Sequence, residues 1–364
     1  MATHGCSARA AGRLLGLTAT VAIVLGACAP APTTPATAST TASPALLKLR
    51  IATATTPPPA LPNSVLWLAK TLGFYERAGL DVDLVEVQAT PSVITALRTG
   101  AADVGDVNVE DVIKLTAART LDLKAIHSSS GRNFFMIVAR DNVGSVAELK
   151  GKPYAIARVG SQDHALSGQV LTALGVRPDD VSFVAIGAPN VRAQALVDGR
   201  VSATTMSIAT WMAIRGQEHL KVLVNADDYF KAVPLINKVS AVTSTVLHDK
   251  PEQLRRFTAA IITTARHFAG NKAAWVDAMS ALRPDLKRGD LEALWEQFRG
   301  AWAVNGQMNL DEYQKSADFL YATDDFQGVP RIPLQEWTDA RFVDAVLDEL
   351  GVDATADPPG RPIR

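Results

Sequence analysis

Short apolar runs alternate with amphipathic stretches from Leu47 onward, the pattern of βα units around a largely parallel sheet. The run around Leu49 and Ile51 predicts a first strand ending near Thr53, and residues 82–87 predict a second. Between them Asn63 or Ser64 can cap a helix that buries Val65, Leu68, Ala69 and Leu72 at 3.6-residue spacing. Thr90 followed by Pro91 reads as an N-cap with Pro at the first helical position, and Gly100 closes that helix. Val104 leads a third strand into Asp106 and Asn108, where another helix begins. A shift of 99 residues lays Ala96, Leu97 and Gly100 on Ala195, Leu196 and Gly199, which predicts one lobe written twice. In the second copy a helix starts between Ser161 and Asp163, buries Leu166, Val170, Leu171 and Leu174, and stops at Gly175. Residues 239–246 predict a late strand, then a helix with Pro251 in its first turn and Leu254, Phe257, Ile261, Ala265 and Phe268 on one face. Helical stripes follow at Leu291, Leu294, Trp295 and Phe298, at Leu310, Tyr313 and Leu320, and at Val343, Val346, Leu347 and Leu350.

The start of the chain breaks this pattern. Arg9 and Arg13 precede the uncharged apolar run of residues 14–27, too short for a bilayer-crossing helix of about 20 residues and suited to the h-region of a secretory signal. It ends in Leu25-Gly26-Ala27-Cys28, which resembles the lipobox of bacterial lipoproteins and implies that Cys28 is acylated after cleavage. Residues 29–45 hold only Ala, Pro, Thr and Ser, so nothing there can offset the entropy of ordering, and the expectation is a tether reaching at most roughly 55 Å.

Composition narrows the function classes. The 364 residues are 48% hydrophobic, ample for two domains, and exclude a disordered chain. Basic and acidic side chains number 36 and 37, and loss of Arg9 and Arg13 would take the formal charge from −1 to −3, no footprint for nucleic acid. Two cysteines, Cys6 and Cys28, build neither a disulfide framework nor a CxxC site. His127, His164, His219, His248 and His267 lack HExxH or any close metal spacing, and no nucleophile elbow or phosphate loop is present, so neither catalysis nor a cofactor or metal is expected.

Four segments carry a family resemblance: LGFYERAGLDV at 72–82, ALRTGAADVG at 96–105, VAELKGK at 146–152 and GVRPDDV at 175–181. Together they resemble the extracytoplasmic solute-binding proteins of ABC importers in the sulfonate, nitrate, taurine and thiamine-precursor group. Ser202 departs from the pattern, standing where that group usually carries Asp. The resemblance implies an α/β fold of the two-lobed periplasmic-binding-protein type 2 (Venus flytrap), with hinge crossovers near residues 128–134 and 227–238 and a helical C-terminal extension. It divides the chain into a signal at 1–27, an acylated cysteine and linker at 28–45, lobe one at 46–132 plus 236–364, and lobe two at 133–235. It further implies capture of a small solute by lobe closure, with permease and ATPase subunits as partners; a helix-terminal cleft and three nearby arginines point to an anionic or zwitterionic solute, and the lipobox to an extracytoplasmic, lipid-anchored location. Thiamine-pyrimidine synthases and sensory ectodomains of similar fold are the alternatives.

In such sheets a ligand lies beyond the carboxyl ends of the strands, where backbone N–H groups and helix N-termini are available. The candidates are therefore Thr53, Asn63, Thr90 and Asn108 in lobe one, Ser129 and Ser130 at the crossover, and Gly160, Ser161, Gln162, Asn190, Met206 and Ser207 in lobe two. Trp67 and Trp211 can stack on a flat ligand or pack. Arg132, Arg158 and Arg192 lie beside these loops and can pair with a carboxylate or sulfonate, although at least two are expected to face solvent. Asp106 and Asp163 can cap helices or meet a cationic group.

Overall fold

The computed structural model describes residues 45–54, 58–87, 90–130 and 132–354, so the signal, Cys28 and all of the linker but Ala45 lie outside the described residues. Four strands build one sheet first: β1 (Leu47–Thr53), β2 (Leu80–Glu86), β3 (Val104–Asn108) and β4 (Leu123–His127). The chain then crosses to a second sheet of β5 (Phe135–Arg140), β6 (Pro153–Ile156), β7 (Ser182–Ala185), β8 (Ala203–Ser207) and β9 (Leu220–Val224), and returns to the first as β10 (Lys238–Thr243). Strand order is β2-β1-β3-β10-β4 in one sheet and β7-β6-β8-β5-β9 in the other. These are one topology used twice. In each the antiparallel fourth strand is the one delivered by a crossover.

The 99-residue offset holds through three successive elements. The helices Thr90–Arg98 and Pro189–Val197, the strands β3 and β8, and the helices beginning at Val109 and Ile208 all start 99 residues apart. Two buried clusters form the core, and each runs through both lobes: Leu49, Ile51 and Trp67 join Met136, Val138 and Met206 in one, and Ala52 and Val107 join Ile137, Ala139 and Tyr154 in the other. The helix Pro251–Ala269 is held on lobe one by Leu254, Phe257, Ile261, Ala265 and Phe268, all fully buried. The later helices dock on the same lobe, for Trp295 Nε1 donates to Phe268 O at 2.9 Å and Thr338 bridges Ala125 of β4.

Several expectations need correction. Leu72, Leu174 and Leu350 are exposed, because each stands at or beside the last turn of its helix, where the stripe has rotated off the core. Val246 belongs to the helix Ser244–Asp249, since Thr243 ends β10 by capping that helix with its hydroxyl. The second crossover is shorter than expected: Asp227 lies in the helix Ala226–Ala232, capped by Asn225, which leaves residues 233–237 as the extended return.

Candidate functional site

The carboxyl ends of β1, β3 and β4 meet both crossovers, and there the face of sheet one toward the helix Pro251–Ala269 changes from aliphatic to polar. Asp106 of β3 lies directly opposite Ser240 of β10, and Ser240 opposite His127 of β4. A bulge at Ser240 and Ala241 brings His127 onto this face, where its ring rests 5.0 Å from that of Phe257. Thr53 extends the row by one strand, a step beyond the pair Ala52 and Gly105. Facing residues in adjacent strands hold their Cβ atoms about 5 Å apart, so the four side chains form one contiguous line.

All four are at most 1% exposed. The Thr53 hydroxyl, both Asp106 carboxylate oxygens, both His127 ring nitrogens and the Ser240 hydroxyl have no hydrogen-bond partner among the described residues. Lys238 Nζ faces Asp106 Oδ2 at 3.6 Å, an ion pair too long for a hydrogen bond. Burial pushes the Asp106 carboxyl above its usual range, with Lys238 pulling against it, and burial lowers His127 to about 4. Unmet polar groups at this depth are costly in free energy, and a row of them marks a place where polar partners are meant to arrive.

The hinge is tied beside this row. The Ser128 hydroxyl lies 2.8 Å from Ser130 O and 2.7 Å from Lys238 O, joining the two crossovers, and Asn133 Nδ2 donates to Val233 O at 3.1 Å. Between the lobes Glu110, Asn133, Gln162, Leu235 and Ser316 line a cavity of only about 10 Å³, near the size of one water.

The sequence candidates separate into groups. Thr53 belongs to the row, and Asn63, 8% exposed with an unpartnered Oδ1, lies just before the helix Val65–Thr71. Ser130 is buried in the crossover, and Gln162 lines the cavity. Other candidates serve their own helices. Ser207 accepts from Thr210 N, the Ser161 hydroxyl donates within its own turn, and Asn108 donates to Asp111 Oδ2 at 3.2 Å. Thr90 stands inside its helix, and Asn190 is exposed on its own. Met206 and Trp67 are buried in the core cluster, Trp67 with an unpartnered Nε1. Trp211 packs on the same cluster.

The three arginines are already engaged. Arg132 Nη2 meets Asp227 Oδ1 at 2.6 Å, Arg192 donates to Gly187 O at 2.7 Å and lies 3.6 Å from Asp163, and Arg158 pairs with Asp325. Only Arg158 is exposed, against the expectation for two. Asp163 accepts from Ala157 N and Ser161 Oγ, which settles it as a capping acid. Sequence reasoning named Asp106 but missed the row, because its members sit on four strands whose pairing depends on β10 returning from the other lobe.

Among the described residues, two ion pairs besides Arg132–Asp227 at the crossovers cross between the lobes. Asp325 follows the helix Leu310–Tyr321 on lobe one, anchored by Phe326 under Lys114, and reaches Arg158 of lobe two. Arg215 of lobe two pairs with Asp290 and holds that carboxyl below its usual range. Exposed pairs contribute about 0.2–1 kcal/mol each and are screened by salt. Arg158→Ala combined with Arg215→Ala is therefore expected to shift the lobes apart and to abolish any salt dependence of that separation, read by small-angle scattering from 0.02 to 0.5 M NaCl. An unchanged salt response in the double variant would contradict the assignment.

A family described as NMT1/THI5 like matches residues 63–272, more than half of the 364-residue chain. The chain belongs to the NMT1/THI5-like family. A provisionally named binding protein of Brucella abortus is 24% identical to this NMT1/THI5-like chain over 206 residues, 55% of this chain and 61% of the relative. The match thus spans about three fifths of the length of the curated relatives. Among solved structures, the ligand-binding component of an ABC-type import system from Staphylococcus aureus is 14% identical with a TM-score of 0.64, covering 83% of this chain and 99% of that one. The periplasmic aliphatic sulphonate binding protein of Escherichia coli is 18% identical with a TM-score of 0.61, covering 81% and 97%. The desulfurization enzyme DSZB has a similar fold, at 14% identity, a TM-score of 0.62 and coverages of 84% and 99%. The likeness establishes the two-lobed periplasmic-binding-protein fold for the NMT1/THI5-like chain, a fold that serves binding proteins and at least one enzyme. No helix among its described residues is long and apolar enough to cross a membrane, and no group of potential metal ligands occurs among them.

Proposed function

We propose that this NMT1/THI5-like protein is the extracytoplasmic, lipid-anchored solute receptor of an ABC importer, which captures a small polar solute by closing two lobes and hands it on unchanged. The observation that carries the reading is the buried polar row at the carboxyl ends of β1, β3 and β4, beside two crossovers tied to each other. Hinge closure on such a crevice buries a solute against both lobes, and the pairs Arg158–Asp325 and Arg215–Asp290 favour the closed form. Lipidation at Cys28 and a permease with its ATPase as partners belong to the same reading. The three arginines beside the crevice have internal acceptors, so they do not by themselves favour an anionic over a zwitterionic solute.

Native mass spectrometry of freshly purified protein tests the reading: a co-purifying small molecule, recovered intact after incubation, is expected. Recovery of a converted product would favour the enzyme alternative, which the likeness to the desulfurization enzyme keeps in view. Cys28→Ala is expected to move the protein from the membrane fraction to the soluble one, and continued retention would refute the anchor.

A further inference from the structure

We infer that the row Thr53, Asp106, Ser240 and His127 is the subsite for the nitrogen end of the solute, a protonated amine or amidinium that donates hydrogen bonds to the Asp106 carboxylate; this rests on the receptor reading above. A carboxylate with neither oxygen hydrogen-bonded among the described residues accepts such donors and repels anions, and bidentate donation to it is a strong, charge-assisted contact. The hydroxyls of Thr53 and Ser240 and the neutral His127 ring can each donate or accept, so they adapt to whichever hydrogens the solute presents.

Two internal comparisons show that this acid is not a structural one. Asp103, on the same lobe and less deeply placed, is held by Arg50 at 2.8 Å and Lys250 at 2.9 Å, as a carboxylate with a structural role should be. Thr205 stands 99 residues after Asp106, at the same place in the repeat, and its hydroxyl lies 2.7 Å from Tyr154 OH and 2.8 Å from Ser167 Oγ. Lobe two thus satisfies its counterpart internally. Lobe one leaves its charged group without a hydrogen bond among the described residues, with Lys238 at 3.6 Å, near the carboxyl end of β3.

The test uses the full-length, detergent-solubilised protein and matched pairs that differ in a nitrogen donor: taurine with ethanesulfonate, benzamidine with benzoate, glycine with acetate. Thermal shift and calorimetry are expected to show binding by a nitrogen-bearing member and not by its counterpart. Asp106→Asn should weaken that binding roughly 10- to 100-fold. Thr53→Val, which keeps the side chain's shape, should weaken the same compound. Binding by the anionic members, with affinity unchanged in Asp106→Asn, would overturn the assignment and leave the receptor reading standing. If no compound of either set binds and none co-purifies, the receptor reading falls and this assignment falls with it.

Discussion

Between pH 6.5 and about pH 4 the folded protein is expected to lose about 3 kcal/mol of stability through His127 alone. The ring is wholly buried against Phe257, and burial lowers it from 6.5 to about 4. Above pH 6.5 both the folded and the unfolded chain hold it neutral, so it has no effect. Below that value the unfolded chain takes up a proton that the native one refuses until about pH 4, and each pH unit of this difference is worth about 1.4 kcal/mol. Asp106 works in the opposite direction, since its raised carboxyl binds a proton more readily in the native state. Urea unfolding at pH 7.0, 5.5 and 4.5 of the wild type and of His127→Gln isolates the histidine. The variant should show a flatter dependence, and parallel curves would mean that the ring is not desolvated as described.

Gly160→Ala is expected to hold the lobes apart. Gly160 has φ +77°, and a Cβ built there would meet the Asp324 side chain, with Asp324 Cβ at 2.6 Å. Two penalties are involved. The left-handed backbone costs an alanine about 1 kcal/mol in any arrangement of the lobes. The collision with Asp324 exists only when lobe two is closed on the turn after Leu310–Tyr321, so it falls on the closed form alone. Each 1.4 kcal/mol of that collision lowers the closed-to-open ratio about tenfold, and solute affinity falls with it. Gly175→Ala is the matched control: its φ is +83° and the space around it is empty, so it should lose a similar amount of stability with no effect on closure. Distances between labels on the two lobes read the difference. Equal closure in the two variants would remove Gly160 from the interface.

Much of this fold is written in local pattern. The 99-residue offset is visible because Ala96, Leu97 and Gly100 repeat as Ala195, Leu196 and Gly199, and apolar stripes at 3.6 spacing locate the helix Pro251–Ala269. Boundaries fail where a cap competes, as at Thr243, whose hydroxyl ends a strand that apolar pattern alone would continue to Val246. The site is less legible. Ser, Thr and Asn before helices identify caps, and Ser207 and Ser161 turn out to serve that purpose. The buried row has no local signature, because Thr53, Asp106, His127 and Ser240 are brought together by pairing between residues up to 134 apart, and His127 faces the row only through a bulge. Likewise Arg132 and Arg192 look solvent-facing until the fold supplies Asp227 and Gly187.

The exchanged strands also set an order of assembly. Lobe two takes all five of its strands from the continuous stretch between Phe135 and Val224, whereas β3 and β4 do not touch each other until β10 arrives between them. A chain emerging amino end first can therefore complete its second half while its first half still exposes two unpaired edges, and those edges close only after more than a hundred further residues have appeared. Insertion of Lys238–Thr243 is therefore expected to come late in folding, after lobe two has all its strands.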